Sequence, residues 1–143
     1  MQKIGFIGCV KKKIKIGAQA RDLYISDLFL KARSYVEKHY DKWFILSAKY
    51  HLLEPETFIE PYDETLNDKT AEERQRWSMI VFNQIRDKLP TPSSCGLFFH
   101  AGKRYREFLI PLLTEAKYSC RVPLEGLGIG KQLAWYKERL GSC

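Results

Sequence analysis

Carboxylates are crowded into one stretch of the chain, SAKYHLLEPETFIEPYDETL at positions 47–66, which holds five acids, two tyrosines and two prolines. The stretch has neither the period of a helix nor that of a strand. A carboxylate beside a bound sugar can orient an attacking water and stabilise positive charge that develops on the sugar. We expect Asp63 or Glu60 to do this. Alternatively, either acid caps a turn or pairs with Arg21.

A basic loop precedes this stretch and is rich in lysine, with Lys11, Lys12, Lys13 and Lys15 close together. Lysine contacts a phosphate as a point charge, whereas arginine can bind it through two parallel hydrogen bonds. Arg21 falls at the start of a predicted helix, where the helix dipole disfavours a cation, so we expect it to have an anionic partner. The alternative for the lysines is an ordinary solvated loop.

A histidine, two cations and a glycine turn follow later in the chain. His100 ends an apolar run directly before AGKRYREF, and this position at a predicted helix start makes a functional histidine as good an interpretation as a structural one. Lys103 and Arg104 resemble a phosphate grip. GLGIG at 126–130 lacks the spacing of a nucleotide fingerprint, so it either brings backbone amides near a ligand or simply turns the chain. Aromatic residues that can stack on a base, or alternatively pack in the core, are Tyr24, Tyr50, Tyr62, Tyr105 and Trp135.

Apolar runs alternate with helical patterns and predict the elements that position these residues. Buried parallel strands are predicted over 3–10, 42–48, 94–101 and 119–124, and helices over 21–40, 70–89, 102–118 and 131–140. We therefore predict one α/β domain over residues 1–143, with three α/β/α layers and a four-stranded, mainly parallel sheet. In such sheets ligands bind beyond the carboxyl ends of the strands. The acidic stretch, the basic loop, His100 and the glycine turn all fall at those ends.

Local signals refine three of the helices. Either Asp22 or Ser26 can cap the helix at 21–40, and Thr70 can cap the helix at 70–89. Pro111 is expected to kink or split the helix at 102–118. The apolar stripe predicted for the helix at 70–89, which Pro90 and Pro92 should end, consists of Trp77, Ile80, Val81, Ile85 and Leu89.

The composition is that of a folded, basic protein. Hydrophobic residues make up 45% of the chain, and 24 Lys and Arg against 17 Asp and Glu give a formal charge of +7. This balance favours DNA, a nucleotide or another phosphate-bearing partner. Cys9, Cys95, Cys120 and Cys143 lack metal-ligand spacing, which argues against zinc. The first apolar run is too short for a signal peptide or a membrane span, so we expect a cytoplasmic protein with reduced thiols.

Several motifs together resemble a bacterial and phage domain family, formerly of unknown function, that is related in fold to uracil-DNA glycosylases and more remotely to YaaA proteins. The motifs are GCVKKK, QARDLYISDLFLKAR, FILSAKYHLLEPETFIEPYDETL, HAGKRYREFL and PLEGLGIGKQLAWY, and they span nearly the whole chain. Members of that family include anti-phage DNA glycosylases that remove modified bases. Motifs similar to GQDPYH and HPSP of the classical uracil enzymes are absent, so their catalytic roles are not transferred. His51 replaces the usual glycine, so we expect its side chain to project into or near the pocket.

The resemblance implies N-glycosidic chemistry on DNA with no metal or cofactor. Positions that match it are Cys9, Lys11, Lys13, Arg21, Asp22, Tyr24, Ser47, Lys49, Tyr50, Glu60, Tyr62, Asp63, His100 and Glu125. Among these, Asp63 or Glu60 would orient water, and His100 or Lys49 would stabilise the departing base. The other matched residues, together with Lys103 and Tyr105, would bind substrate.

We therefore expect a DNA glycosylase that hydrolyses the N-glycosidic bond of a modified or noncanonical base, flipped out of the duplex. A second hypothesis is a nucleoside or nucleotide N-ribosyl hydrolase or transferase that uses the same pocket. A third is a non-catalytic nucleic-acid or nucleotide-binding module in phage–host conflict. A lyase mechanism through an imine of Lys11, Lys13 or Lys49 is an open variant of the first hypothesis.

Overall fold

The computed structural model describes residues 1–89 and 91–141; Pro90, Ser142 and Cys143 lie outside the described residues. Seven strands are present in this part of the chain: β1 (Gln2–Gly8), β2 (Ala18–Gln19), β3 (Lys42–Ser47), β4 (His51–Leu53), β5 (Phe58–Ile59), β6 (Cys95–His100) and β7 (Ser119–Arg121). The helices are α1 (Ala20–Leu23), α2 (Asp27–His39), α3 (Ala71–Lys88), α4 (Lys103–Arg106), α5 (Leu109–Glu115) and α6 (Ile129–Leu140). Single 3₁₀ turns cover Leu66–Asp68 and Pro92–Ser94.

The central sheet has five strands in the order β4-β3-β1-β6-β7. β3, β1, β6 and β7 are parallel, as predicted for the four apolar runs, and β4 is antiparallel to β3. The prediction of four strands is therefore wrong, because the three-residue β4 is too short to give a pattern. It begins at His51, whose φ of 63° lies in the left-handed region that favours glycine. β2 and β5 form a separate antiparallel pair.

Helices cover both faces of the sheet and divide the core in two. On one face, side chains from α1, α2 and α6 pack against Ile7 and Ile45 of β1 and β3. On the other face, side chains from α3, α4 and α5 pack against Phe6, Phe44 and Phe99. None of the helices in residues 1–89 and 91–141 is long and apolar enough to cross a membrane.

The predicted helices form, with changes at their ends. Residues 21–40 contain two helices, α1 and α2, and the Ser26 side chain accepts from the N–H of Phe29 to cap the second. Thr70 and Glu73 form a reciprocal capping box at the start of α3. The predicted stripe on α3 fails at Ile80, which is 45% exposed. The predicted stop at Pro90 lies outside the described residues.

The helix predicted over 102–118 is split, as expected from Pro111, at the residues three and four positions before the proline. The break between α4 and α5 falls at Glu107 and Phe108. Pro111 is the third residue of α5, where a missing N–H removes no intrahelical hydrogen bond. Pro111 is therefore compatible with the first turn of α5.

The chain leaves β1 and β6 in opposite directions across the sheet. β1 is followed through α2 by β3 on one side, and β6 is followed through α4 and α5 by β7 on the other. Adjacent parallel strands with diverging connections leave a crevice beyond their carboxyl ends. Gly8 and Gly102 lie at this point, and a Cβ at Gly8 would approach the Ala101 Cβ to 3.1 Å. The fold thus places a crevice between the ends of β1 and β6.

Candidate active site

A cavity of about 680 Å³ occupies this crevice. Its size is typical of pockets that hold small molecules or nucleotides. Most of its inner wall is apolar, formed by Ile7, Leu28, Phe29, Ala32, Phe99, Val122, Leu124 and Leu127. Its polar lining groups include Cys9, Lys11, Lys13, Asp63, Asn67, Asp68, His100, Lys103, Arg104, Tyr105, Arg106 and Gln132. An apolar wall beside several charges suits a planar base attached to a sugar and a phosphate.

Asp63 is the acid of the predicted Glu60–Asp63 pair that lines the cavity. Its side chain is exposed, and within residues 1–89 and 91–141 it makes no ion pair shorter than 4.0 Å. The next acid, Glu64, is paired with Lys69 at 3.6 Å. Asp63 is therefore available to a ligand as an unpaired carboxylate.

Glu60 lies outside the cavity, because the pairing of β2 with β5 holds it against the basic loop. A Cβ built at Gly17 would lie within 2.9 Å of both Glu60 carboxylate oxygens and would clash with the Phe58 ring. At Gly17 a larger residue would displace the ends of these two side chains. The geometry separates the two acids and favours Asp63 for contact with a ligand.

Lys13 lines the cavity from the basic loop and is only partly exposed. Its Nζ lies 4.5 Å from the centroid of the Tyr62 ring, 5.7 Å from that of Tyr24, and 3.3 Å from the Lys11 carbonyl oxygen, to which it donates. Burial lowers the pKa of Lys13 below its ordinary value of 10.5, and nearby Cys9 and Asp63 oppose this shift.

A chain of hydroxyl groups lies behind Lys13. The Tyr24 and Tyr62 hydroxyl oxygens are 2.5 Å apart, and the Ser47 hydroxyl donates to that of Tyr62 over 2.8 Å. Burial raises the pKa of both Tyr24 and Tyr62. These three predicted substrate-binding residues lie outside the cavity lining. They join the basic loop to the acidic stretch.

Tyr105 and Cys9 line the cavity and contact each other. The Cys9 thiol donates to the Tyr105 hydroxyl at 3.2 Å, and that hydroxyl also accepts from the backbone N–H of Leu66 at 3.3 Å. Burial raises the pKa of Tyr105. Tyr105 is buried and its ring lies 5.6 Å from that of Trp77, so it forms part of the wall.

His100 forms the floor of the cavity and is 8% exposed. Its Nε2 lies 2.7 Å from the Tyr40 hydroxyl, and its Nδ1 lies 2.6 Å from the Tyr136 hydroxyl. A neutral imidazole donates through one nitrogen and accepts through the other, which matches two hydroxyl partners. Burial lowers the pKa of His100 to about 4. With both nitrogens occupied and no charge at neutral pH, His100 is placed to shape the floor and not to donate a proton to a departing base.

The remaining predicted site residues lie away from the cavity lining. The Lys49 ammonium lies 5.4 Å from the centroid of the Tyr50 ring, and Tyr50 packs edge-on against Tyr62. His51, expected in or near the pocket, is half-buried at the start of β4 and does not line the cavity.

Arg21 lies near an acid, but that acid is neither Glu60 nor Asp63, and the buried Arg21 Nε makes no hydrogen bond in the described part of the chain. Its Nε lies 3.9 Å from an Asp22 carboxylate oxygen. The same carboxylate accepts from Arg33 at 2.9 Å, and Arg33 also donates to the Arg21 carbonyl. These contacts fix the short helix α1 to α2. The geometry therefore gives Arg21 and Asp22 a local structural connection.

Sequence reasoning missed several residues of the site, including the polar lining residues Asn67, Asp68 and Gln132. Tyr40 and Tyr136 hold His100, and each is distant from it in sequence, so no local pattern could have found them. Arg106 lines the cavity, donates to the Ala101 carbonyl at 3.2 Å and lies 3.4 Å from the exposed carboxylate of Glu125. Arg106 follows Lys103 by three residues, the spacing that places two side chains on one helix face.

A family model described as "Family of unknown function (DUF6884)" matches residues 4–138. The chain belongs to this family. It is also similar to a protein of Bacillus subtilis (strain 168) described as "Uncharacterized protein YfjM", with 29% identity over 131 residues that cover 82% of this chain and 81% of that protein. Neither description names an activity, so a functional proposal for this DUF6884 member depends on the residues and geometry of the cavity.

Proposed function

We propose that this DUF6884 member is a DNA glycosylase that hydrolyses the N-glycosidic bond of a modified or noncanonical base. The observation that carries the proposal is Asp63, an unpaired carboxylate that lines a cavity with both an apolar wall and several cations. The motif resemblance to a family related to uracil-DNA glycosylases supports the same chemistry. A uracil-DNA-glycosylase-like fold is part of this proposal, and so is a role in defence against phage.

The cavity suits a base taken out of a helix. A base in a duplex is inaccessible to attack at its sugar, so the nucleotide must be flipped into a pocket. The wall formed by Phe29, Phe99 and Leu124 would contact the base, and Lys11 and Lys103 at the polar lining would contact backbone phosphates.

Asp63 would act on the sugar. Cleavage of the glycosidic bond develops positive charge at C1′, which a nearby carboxylate stabilises, and the same group can orient the attacking water. The base leaves with the bonding electrons and takes a proton from solvent. We assign no proton transfer to His100, because both of its ring nitrogens are engaged by tyrosines.

The test is base release from a panel of DNAs that contain modified bases, followed by mass spectrometry. Asp63→Asn keeps the shape of the side chain but removes its charge, so base release should fall by about 10²–10⁴-fold. Glu60→Gln is the matched control, since Glu60 lies outside the cavity, and it should remain active. DNA binding and folding should be retained in both variants. Full activity of Asp63→Asn would refute the carboxylate mechanism.

The same assay separates the other two hypotheses. Cleavage of free nucleosides or nucleotides, without cleavage of DNA, would indicate an N-ribosyl hydrolase or transferase. DNA binding without release of any base would indicate a binding module. For a binding module, the affinity for DNA should still fall steeply as the salt concentration rises, because phosphate contacts release counterions.

A further inference from the structure

We propose that Lys13 forms an imine with the sugar that remains after base removal, which gives the protein a lyase activity on abasic DNA. The inference rests on the proposed function, because it requires that DNA enters the cavity. It adds a nucleophile, a covalent intermediate and a second reaction, cleavage of the DNA strand. Three features of Lys13 support it.

The backbone of Lys13 is held in place although it belongs to a loop. Lys13 forms an isolated antiparallel bridge with Tyr24. On either side of it, the N–H of Ile14 donates to the Leu23 carbonyl and the N–H of Ile25 donates to the Lys12 carbonyl. A nucleophile must be positioned closely to react efficiently. The two hydrogen bonds, which together make up the bridge, fix the backbone of Lys13 beside the cavity.

The Lys13 side chain differs from the other lysines of its loop. Lys11, Lys12 and Lys15 are exposed, whereas Lys13 is partly buried and its Nζ lies above the Tyr62 ring. Within residues 1–89 and 91–141 no carboxylate lies within 4.0 Å of that nitrogen. Partial burial of an amine without a close counter-ion favours its neutral form, which is the nucleophilic one. The lowered pKa of Lys13 agrees with this geometry.

Asp63 lines the same cavity as Lys13, and its negative charge opposes the lowering of the Lys13 pKa by burial. A lyase needs a nucleophilic amine and a base that removes a proton from C2′ of the sugar. Lys13 and Asp63 provide both groups. A lysine that only binds a phosphate would not need a partly buried amine.

The reaction balances without any oxidant or cofactor. The neutral amine of Lys13 adds to C1′ of the ring-opened abasic aldehyde, and water leaves to give the imine, which then takes up a proton. Asp63 takes a proton from C2′, and the C3′–O bond breaks with its electron pair leaving on the 3′ phosphate oxygen. Water then hydrolyses the imine and releases Lys13 and an unsaturated aldehyde.

The test uses a duplex with one abasic site, prepared by removing uracil beforehand, so the natural base need not be known. Borohydride reduces the imine to a stable amine, and the full-length protein should become linked to the DNA. Peptide mass spectrometry should locate the linkage at Lys13. Lys13→Arg retains the positive charge but cannot form the imine, so strand cleavage should fall at least tenfold while binding to the same duplex persists. Lys12→Ala is the matched control, because Lys12 is exposed, adjacent and outside the cavity lining.

Each outcome decides the inference. Linkage at Lys13 that is lost in Lys13→Arg and kept in Lys12→Ala supports it. No linkage, linkage at another residue, or undiminished linkage in Lys13→Arg overturns it. The result is separate from that of the proposed function: base release without linkage leaves a glycosylase that lacks lyase activity. Linkage without any base release leaves a protein that acts on abasic sites alone.

Discussion

Replacing His100 with glutamine should make the free energy of unfolding depend less on pH between pH 7 and pH 4. Burial lowers the pKa of folded His100 to about 4, from an ordinary value of 6.5. The unfolded chain therefore takes up a proton at this residue as pH falls below 6.5, while the folded protein takes it up only near pH 4. Stability contributed by the neutral, buried histidine is complete above pH 6.5 and declines as pH falls towards 4. The decline by pH 4 is about 3 kcal/mol, since each pKa unit corresponds to about 1.36 kcal/mol.

The measurement is the free energy of unfolding in urea at several pH values, for the wild-type protein and for His100→Gln. Glutamine can donate to one tyrosine and accept from the other, so the contacts to Tyr40 and Tyr136 can be partly kept. The variant should be less stable at pH 7 by about 1–3 kcal/mol because of imperfect packing and hydrogen bonding. Between pH 7 and pH 4 the stability difference should shift by about 3 kcal/mol in favour of the variant, so the variant becomes as stable as the wild type or more stable. Other groups that titrate in this range, including His51 with its lowered pKa, contribute equally to both proteins and cancel.

His39→Gln removes an exposed histidine from the end of α2 and controls for the removal of a histidine as such. If the stability gap between wild type and His100→Gln stayed constant from pH 7 to pH 4, His100 would be taking up protons in the folded protein as it does in the unfolded chain. That result would refute the argument that its environment keeps it neutral. It would also restore His100 as a candidate proton donor to a departing base.

Two further predictions concern the wall and the rim of the cavity. Gly102→Asn adds a side chain to the cavity lining at a helix N-cap, and no atom lies within 4 Å of the new Cβ. Thermal stability should be retained, while base release should fall at least tenfold because the side chain occupies the cavity. Gly128→Asn is the same change at an N-cap that does not line the cavity, and it should leave both quantities unchanged. Replacing Lys11 and Lys103 with alanine should lower the slope of log affinity for duplex DNA against log salt, as measured by fluorescence anisotropy, by about 0.9 for each phosphate that the protein no longer neutralises. Lys88→Ala, at the far end of α3, should not change that slope, and an equal change there would identify the rim lysines as general surface charge.

The parallel sheet could be predicted because its four strands are continuous apolar runs, whose burial on both faces requires no long-range information. β4 could not, since it has three residues and depends on the left-handed backbone at His51. A site beyond the carboxyl ends of the strands could be predicted from the alternation of strands and helices alone, without the strand order. The floor of the cavity could not be predicted, because it is formed by three segments that are distant in sequence, at Tyr40, His100 and Tyr136.

The separation of Asp63 from Glu60 shows where sequence reasoning about a site reaches its limit. Both acids belong to the same irregular stretch, and composition treats them alike. The pairing of β5 with β2 draws Glu60 against Gly17, and the chain then turns so that Asp63 reaches the cavity. A two-residue pairing between distant segments leaves no period in the sequence. Only the three-dimensional arrangement distinguishes the two carboxylates.

The same arrangement explains why so many acids follow β3. Residues 11–21 carry five cations and residues 54–64 carry five acids, yet within residues 1–89 and 91–141 no ion pair shorter than 4.0 Å joins the two segments. The bridge between Lys13 and Tyr24 and the hydroxyl contact between Tyr24 and Tyr62 connect them instead. The cations of one segment and the acids of the other therefore lie near each other without forming ion pairs. Asp63 therefore stays available to a sugar that becomes cationic as its base departs, and Lys13 to the aldehyde that the departure leaves.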